Sequence, residues 1–226
     1  MKIWHISDSH TYHDLLVVPE DIDIVICSGD ISNPRDLYTS NNQCMDFIEW
    51  YEKLSIKYKI LIAGNHDIAI WKRAISPEFI RSKGIIYLEN DFEIIEGITI
   101  WGSPYTPSFG DGWAFNKDRA KIHDIWQLAP DYTDIFVTHG PPKGILDHSY
   151  NQIGNVYESC GCTALLKRIL KIQPKLCLFG HIHNTEDIIN AGTVKLSAYP
   201  TVFSNGSVVT DGKFGQLSSN GNILEI

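Results

Sequence analysis

The sequence predicts an α/β protein in which two β-sheets pack together and helices cover the outside. Three observations predict it. Short apolar runs at 2–7, 23–28, 59–63, 134–138 and 176–179 alternate with longer amphipathic stretches along most of the chain. These runs are nearly continuous in apolar residues, as strands buried on both faces are. Beyond residue 190 the pattern changes to closely spaced, short strand-like runs punctuated by glycine turns. Early βα alternation followed by a β-rich tail is met by two packed sheets with helices on the outer faces.

Taken in order, the first strand covers 2–7 and stops at Asp8-Ser9-His10. The second, 23–28, stops at Gly29-Asp30. Residues 41–58 have a helical period, with Met45, Ile48, Trp50, Tyr51 and Leu54 near one face. The third strand, 59–63, stops at Gly64-Asn65-His66-Asp67. A helical pattern returns over 68–82, broken near Pro77, which lacks a backbone donor and clashes with the preceding turn. Short strands are expected around 85–88, 92–95 and 98–101. Residues 102–115 have no period but hold prolines, glycines and aromatics; a stretch of this length inside a compact domain is usually functional or disordered. A helix is predicted over 116–128, then a strand over 134–138 that stops at His139-Gly140-Pro141-Pro142. A second irregular stretch runs to Gly161. A helix over 163–172, starting near Cys162 or Thr163, leads to a strand over 176–179 that stops at Gly180-His181-Ile182-His183. In the tail, short strands are predicted at 194–197, 200–203, 208–209, 214–217 and 223–226. Asp211-Gly212 and Asn220-Gly221 read as hairpin turns, because both residue pairs tolerate positive φ. Asn205-Gly206 reads as a turn or as the lead-in to a strand.

The 226 residues suit one domain spanning 1–226, and no linker or repeat divides them. A hydrophobic share of 43% with 20% charged residues is an ordinary globular composition. The net charge of −8 disfavours broad binding to duplex nucleic acid or an anionic membrane, both of which need a basic face. No apolar run approaches the ~18 residues of a membrane span, and the first eight residues turn polar too soon for a signal peptide. The five cysteines are odd in number and form no CxxC pair; with Cys27 and Cys177 inside apolar runs, a reducing, cytoplasmic setting is expected. Cys160-Gly161-Cys162 reads as packing rather than as a soft-metal or redox pair.

Five strands thus end in polar residues of one chemical kind: Asp8 and His10, Asp30, Asn65 and His66, His139, and His181 with His183. The i, i+2 spacing of Asp8/His10 and of His181/His183 puts both side chains of a pair on one face of an extended chain. Imidazoles with carboxylate and amide oxygens suit divalent Zn, Mn, Fe or Ni better than Ca or a soft-metal site. The seven donors other than His66 are too many for one tetrahedral zinc and suit two ions sharing a carboxylate. Two such ions, set against two Asp carboxylates and a hydroxide, leave the site at about +1, so that it attracts a phosphate group although the protein is acidic.

In order, Asp8-Ser9-His10, Gly29-Asp30, Gly64-Asn65-His66-Asp67, His139-Gly140 and Gly180-His181-Ile182-His183 resemble the full motif set of the calcineurin-like metallophosphoesterases, and 203–208 is similar to that family's late Asn-x-Gly-Ser segment. Gly102-Ser103-Pro104, Gly112-Trp113-Ala114-Phe115-Asn116 and His139-Gly140-Pro141-Pro142 are most similar to the small MPPED-type branch. The resemblance implies a four-layer α/β/β/α sandwich of two mixed sheets and a dinuclear centre, with manganese first among the metals and Fe, Zn, Ni or Co as alternatives. It implies that Asp8, His10 and His183 hold one ion, that Asn65, His139 and His181 hold the other, and that Asp30 bridges. It further implies that a bridging hydroxide attacks a small phosphodiester such as a cyclic nucleotide, and that His66 is catalytic at the leaving group with Asp67 orienting its ring. A phosphomonoesterase of the same mechanism and a non-catalytic scaffold of the same fold are the alternatives. A DNA nuclease, which shares the motifs, is disfavoured by the acidic charge.

Asn65, His66, Arg35, Trp113, Phe115 and Arg119 are the candidate substrate contacts. Either arginine can grip phosphate with two parallel hydrogen bonds, and Phe109, Trp113 and Phe115 offer aromatic faces for a base. The chain departs from related branches in having Asn33 three residues after Asp30, where purple acid phosphatases have tyrosine, and in the offset of Arg35. It also has Asn184-Thr185-Glu186-Asp187 in place of a glycine-rich loop. Of the remaining histidines, His5 is expected in the core, and His13, His123 and His148 at the surface or rim, with His13 within reach of substrate.

Overall fold

The computed structural model describes residues 1–33, 35–151, 154–211 and 215–226. Strand β1 (Lys2–Ile6) runs parallel to β2 (Ile24–Cys27). Helix α1 (Leu37–Lys53) follows, then β3 (Tyr58–Leu61), the short helices α2 (Ile68–Trp71) and α3 (Pro77–Ser82), and β4 (Ile86–Tyr87). The chain continues through β5 (Asp91–Ile95), β6 (Ile98–Ser103), the two-residue strands β7 (Thr106–Pro107) and β8 (Asn116–Lys117), and the single turn α4 (His123–Trp126). Strand β9 (Ile135–Thr138) leads to a hairpin of β10 (His148–Asn151) and β11 (Val156–Ser159), then α5 (Thr163–Ile172) and β12 (Leu176–Phe179). The tail supplies β13 (Gly192–Lys195), β14 (Val202–Asn205) and β15 (Asn222–Glu225).

These strands form two main sheets. One has the order β15-β1-β2-β3-β4, the other β13-β14-β12-β9-β6-β5. Each is mixed, with a parallel centre; the first has one antiparallel edge strand, β15, and the second has two, β13 and β5. The inner faces meet through Ile3, Ile24, Ile26 and Ile60 on one side and Ile100, Ile135, Val137 and Leu178 on the other. Outside the first sheet, Trp4, Val25 and Cys27 pack against Phe47, Ile48 and Tyr51 of α1. Outside the second, Trp101, Phe136 and Phe203 pack against Trp126 of α4 and Leu165 and Ile169 of α5. The α/β/β/α sandwich is therefore present. Each fully buried Ile or Leu in these layers contributes roughly 2 kcal/mol of transfer free energy.

The parallel register positions the site. Ile6 lies beside Cys27 and Cys27 beside Leu61, so the turns after β1, β2 and β3 emerge side by side. Val137 lies beside Leu178 and Phe179 beside Asn205 in the other sheet. The sheets converge at these ends: Ser7 bridges to Ser207, and the His5 ring joins Ser28 Oγ of the first sheet to Ser204 Oγ of the second at 3.0 and 2.8 Å.

Several expected boundaries move for local reasons. Helix α1 begins before residue 41 because Asp36 accepts a hydrogen bond from Thr39 N at 2.8 Å, a standard N-cap. It ends at Lys53, since Leu54 and Ile56 turn inward into the core on the way to β3. The pattern over 68–82 divides in two, and the second piece starts with Ser76 as cap and Pro77 at the first position, where its missing N–H costs nothing. The helix predicted over 116–128 is corrected to one turn. Asn116 instead donates to Thr106 Oγ1 and Ala114 O and pairs in a short strand, the local competition that polar side chains offer a helix. The stretch to Gly161 holds a hairpin that carries no alternating apolar signal. Asn220-Gly221 leads into β15, which pairs with β1 rather than with a preceding tail strand. Residues 212–214, which include Gly212 of the predicted turn and the start of the predicted strand at 214, lie outside the described residues. Among the described residues no helix is long and apolar enough to cross a membrane.

Candidate metal centre

The turns that follow the strands are tight enough to need unusual backbone. Asp8, His10, Asp30 and His181 all have positive φ, between 40° and 70°, a region that non-glycine residues visit sparingly and that concentrates at functional sites. Glycine opens the remaining space. A Cβ at Gly64 would sit 2.2 Å from Asp30 Oδ1, and one at Gly180 would sit 2.1 Å from Asp8 Oδ2. The glycines of the motifs thus make room for the carboxylates themselves.

Five strand ends bring the seven expected donors together. Asp8, His10 and His183 place ligand atoms within 4.8 Å of one another, and so do Asp30, His139 and His181. Asn65 joins the second group, with Oδ1 2.9 Å from His139 Nε2. Asp30 lies between the groups: its Oδ2 is 3.2 Å from His139 Nε2 and 4.0 Å from both His10 Nε2 and His66 Nε2.

Three of the four ligand rings are turned by a partner behind them. His10 Nδ1 and His139 Nδ1 donate to the carbonyls of Ser32 and Ser28, both at 2.9 Å. His183 Nδ1 lies 3.1 Å from Asp211 Oδ1. In all three rings Nε2 is left for the centre, the arrangement by which ligand histidines are usually oriented. The carboxylates are steadied in the same way. Asp8 Oδ2 accepts from His181 N at 2.8 Å and from Ser207 Oγ at 2.7 Å, and Asp30 Oδ1 accepts from His66 N at 2.7 Å.

Burial alone would raise the Asp8 and Asp30 carboxyls, but the surrounding imidazoles outweigh it and hold both well below the usual carboxylate range. Burial lowers His181 to about 3 and His10 to about 4. It also opposes the charging of His139 and His183, yet Asp30 lifts the first to about 9, and Asp211 with Asp8 lifts the second to about 10. The centre therefore draws positive charge to its two buried carboxylates. A divalent cation supplies that charge, and its binding would release the Nε2 protons. The donors fit such a cation on a second count. Asp8 Oδ1 is buried and receives no hydrogen bond, although His183 Nε2 is 3.2 Å away. The two atoms attract as an ion pair without a well-aligned hydrogen bond, and with His10 they lie within 4.8 Å of one another, as ligands to one ion would.

His66 stands at the edge. Its Nδ1 donates to the Asn33 carbonyl at 2.5 Å, which leaves Nε2 facing the centre. The expectation that Asp67 orients this ring is corrected. Asp67 Oδ2 accepts from Gly64 N and Asp30 N at 2.7 and 3.0 Å, and Oδ1 from Ser32 N at 3.0 Å. It clamps the turn after β2 to its own turn after β3 and acts on the site through their backbone. Burial and the neighbouring Asp30 charge push its carboxyl up to about 7.

The rim only partly matches expectation. Trp113 packs on His66 with ring centres 4.6 Å apart and also meets Phe109. The Arg35 guanidinium lies 3.8 Å over Trp113, so it stacks there. Phe109 is exposed, stands 5.0 Å from the His181 ring, and shares a cleft of about 290 Å³ with Arg119, Ser149, Cys160, His181 and Asp211. Arg119 donates to Cys160 O at 3.0 Å. Phe115 is buried against Tyr105 in the core and presents no face to a ligand, which corrects its place among the contacts. His13 is likewise no rim residue; it is wholly buried against α1. His5 is in the core as expected. Asp211, read only as half of a turn, and Ser32 were missed. Only the Asn-x-Gly-Ser segment hinted at Ser207.

Comparison with known proteins agrees with this geometry. The family model for calcineurin-like phosphoesterases matches residues 1–185. The human Metallophosphoesterase domain-containing protein 1 is 31% identical over 91% of the chain, which spans 65% of that protein's length. A Caenorhabditis elegans protein, UPF0046 protein K07C11.7, is 30% identical over 85% of the chain and 67% of its own length. The crystal structure of TT1561 of Thermus thermophilus superposes with a TM-score of 0.63 at 14% identity, covering 90% of this chain and 88% of that one, which shows the shared fold. With the motif residues converging as they do and the family model covering most of its length, this chain belongs to the calcineurin-like phosphoesterases.

Proposed function

We propose that the protein is a divalent-metal-dependent phosphodiesterase acting on small, nucleotide-like esters. The observation that carries this reading is the position of Asp30, whose one carboxylate lies between two histidine-containing ligand groups. On this reading Asp8, His10 and His183 hold one ion, Asn65, His139 and His181 hold a second, and Asp30 is shared. Ions so held supply Lewis acidity and an activated water at neutral pH; manganese is the first choice among metals these donors accept.

The chain's own residues do the rest. Asn65 and His66 line the edge where a phosphoryl oxygen and the leaving group would sit. Because a carbonyl only accepts, His66 Nδ1 carries its proton toward Asn33. The proton to be given to a departing alkoxide is then the one on Nε2, and the Asn33 bond keeps that atom aimed inward. General acid help of this kind is worth roughly 10²–10⁴-fold. The Trp113 ring behind His66 excludes water from one face and, with Phe109, offers a surface for a base.

A panel of bis-p-nitrophenyl phosphate, p-nitrophenyl phosphate and cyclic nucleotides, each with Mn²⁺, tests the proposal. Diesters are expected to turn over faster than the monoester. The reverse order would make the protein a phosphomonoesterase. No turnover with Mn²⁺, Ni²⁺, Co²⁺ or Zn²⁺ would make it a scaffold.

A further inference from the structure

We propose a second divalent-cation site, formed by His13, Asp14 and Asp46 outside the centre under Asp30, with zinc as the ion its donors suit. The inference does not depend on the proposed phosphodiesterase activity.

His13 lies in the loop that leaves β1, three residues beyond His10. Its ring packs against Phe47 and Trp50 of α1, with centres 5.2 and 5.3 Å away, and none of the side chain is exposed. Neither ring nitrogen makes a hydrogen bond. Buried polar atoms almost always do, so each exception asks for a cause. Here Nε2 is aimed at two carboxylates, 3.4 Å from Asp46 Oδ2 and 3.9 Å from Asp14 Oδ1. Both separations exceed those of good hydrogen bonds. Zinc bonds to nitrogen and oxygen of about 2.0–2.2 Å place tetrahedral ligand atoms about 3.4 Å apart; the Asp46 separation equals this, and the exposed Asp14 carboxylate stands half an ångström beyond it. All three ligand atoms lie within 4.8 Å of one another.

The protonation and charge agree. Burial lowers the proton affinity of His13 more than Asp14 and Asp46 raise it, which favours the neutral ring with a lone pair to give. One dication balances the two carboxylates. Asp14 and Asp46 are mostly exposed, so the remaining coordination positions face water and the ion has a way in. One imidazole with two carboxylates suits zinc over calcium or magnesium, which prefer all-oxygen shells. Such an ion would clip the loop that carries Asp8 and His10 to helix α1, whose leading segment supplies the carbonyls behind His10 and His66.

The test compares the unaltered chain with D14N/D46N. Both are loaded with zinc chloride and desalted, and their zinc is measured by mass spectrometry against protein. The unaltered chain is expected to retain one more zinc per chain, whatever the centre under Asp30 holds. The substituted positions are exposed, so circular dichroism should show an unchanged fold. Should the variant fold poorly, the unaltered chain alone still decides: on zinc addition the His13 Nε2 nitrogen resonance should move to the metal-bound range. Equal zinc in the two folded proteins, or a His13 ring whose resonances stay in place at saturating zinc, overturns the site.

Discussion

The floor of the candidate centre and its rim are built by different means. On the floor, Asp8, Asp30 and His139 are buried and fixed by short bonds to backbone groups of neighbouring turns, and the buried Asn65 is held against the His139 ring. On the rim, Arg35, Phe109 and Arg119 are exposed, and Trp113 holds its place chiefly by contact with other rings and a guanidinium. A floor of this kind holds donor atoms in place before any ligand arrives, and preorganisation of that sort underlies electrostatic catalysis. A rim of the second kind can change side chain by side chain without disturbing the floor. On the proposed function, the contrast would assign the chemistry to the floor and the choice of ester to the rim.

The largest expected effect tests the floor. Asp30→Asn keeps the shape but removes the shared charge, and activity should fall by roughly 10³-fold on every ester, the upper range for losing one charge-stabilising group. Metal content measured on the same samples should fall with it. Full activity in Asp30→Asn would mean that the floor is not where the reaction occurs. His66 stands where floor meets rim, so its effect should depend on the substrate. His66→Ala should lose roughly 10²-fold or more on alkyl esters, where a proton must reach the leaving oxygen, and little on p-nitrophenyl esters. Equal losses on both would assign His66 to binding or to structure.

The same contrast explains what could be read beforehand. Every floor residue sits directly after a buried apolar run, so a change from apolar to His, Asp or Asn within one or two residues marked it. Parallel register then did the remaining work, by bringing Cys27 beside Leu61 and Val137 beside Leu178. The rim offers no such period. Nothing local distinguishes Phe115, whose side chain turns into the core, from Phe109, whose ring stays out; the difference arises from β7 pairing with β8. Asp67 was misread because its partners are backbone N–H groups of Asp30 and Ser32, far away in sequence. Asp211 reaches His183 from the tail and looked like half of a turn. Short-range chemistry was legible, and long-range side-chain partners were not.

A smaller effect lies beneath the floor. Burial lowers His5 from 6.5 to about 3, against the pull of Asp8. The unfolded chain therefore binds a proton that the folded chain refuses between these two values. Stability is complete above pH 6.5 and declines as the pH falls toward 3, by about 1.4 kcal/mol per pH unit for one proton. His5→Gln can keep contacts with Ser28 and Ser204 without titrating. Denaturant unfolding across this range should show a slope reduced by that one proton; an unchanged slope would mean that His5 is already charged in the folded protein.

The smallest effect separates two roles for one rim residue. Trp113 touches His66 on one side and Arg35 on the other, so its removal can act on the reaction or on binding. If it serves as a platform for a base, Trp113→Ala should raise KM for a nucleotide ester by roughly fivefold, the low end of what base stacking contributes. KM for a bare aryl phosphodiester, which has no base to stack, should stay the same. If Trp113 instead steadies the His66 ring, kcat should fall on esters with poor leaving groups while KM holds for both substrates. Arg35→Ala leaves the His66 contact in place and removes only the cation over the indole, so a shared rise in nucleotide KM for the two variants would assign the stack to substrate binding. A nucleotide KM that neither substitution moves would remove the rim from base recognition and leave the phosphoester group alone as what the site selects.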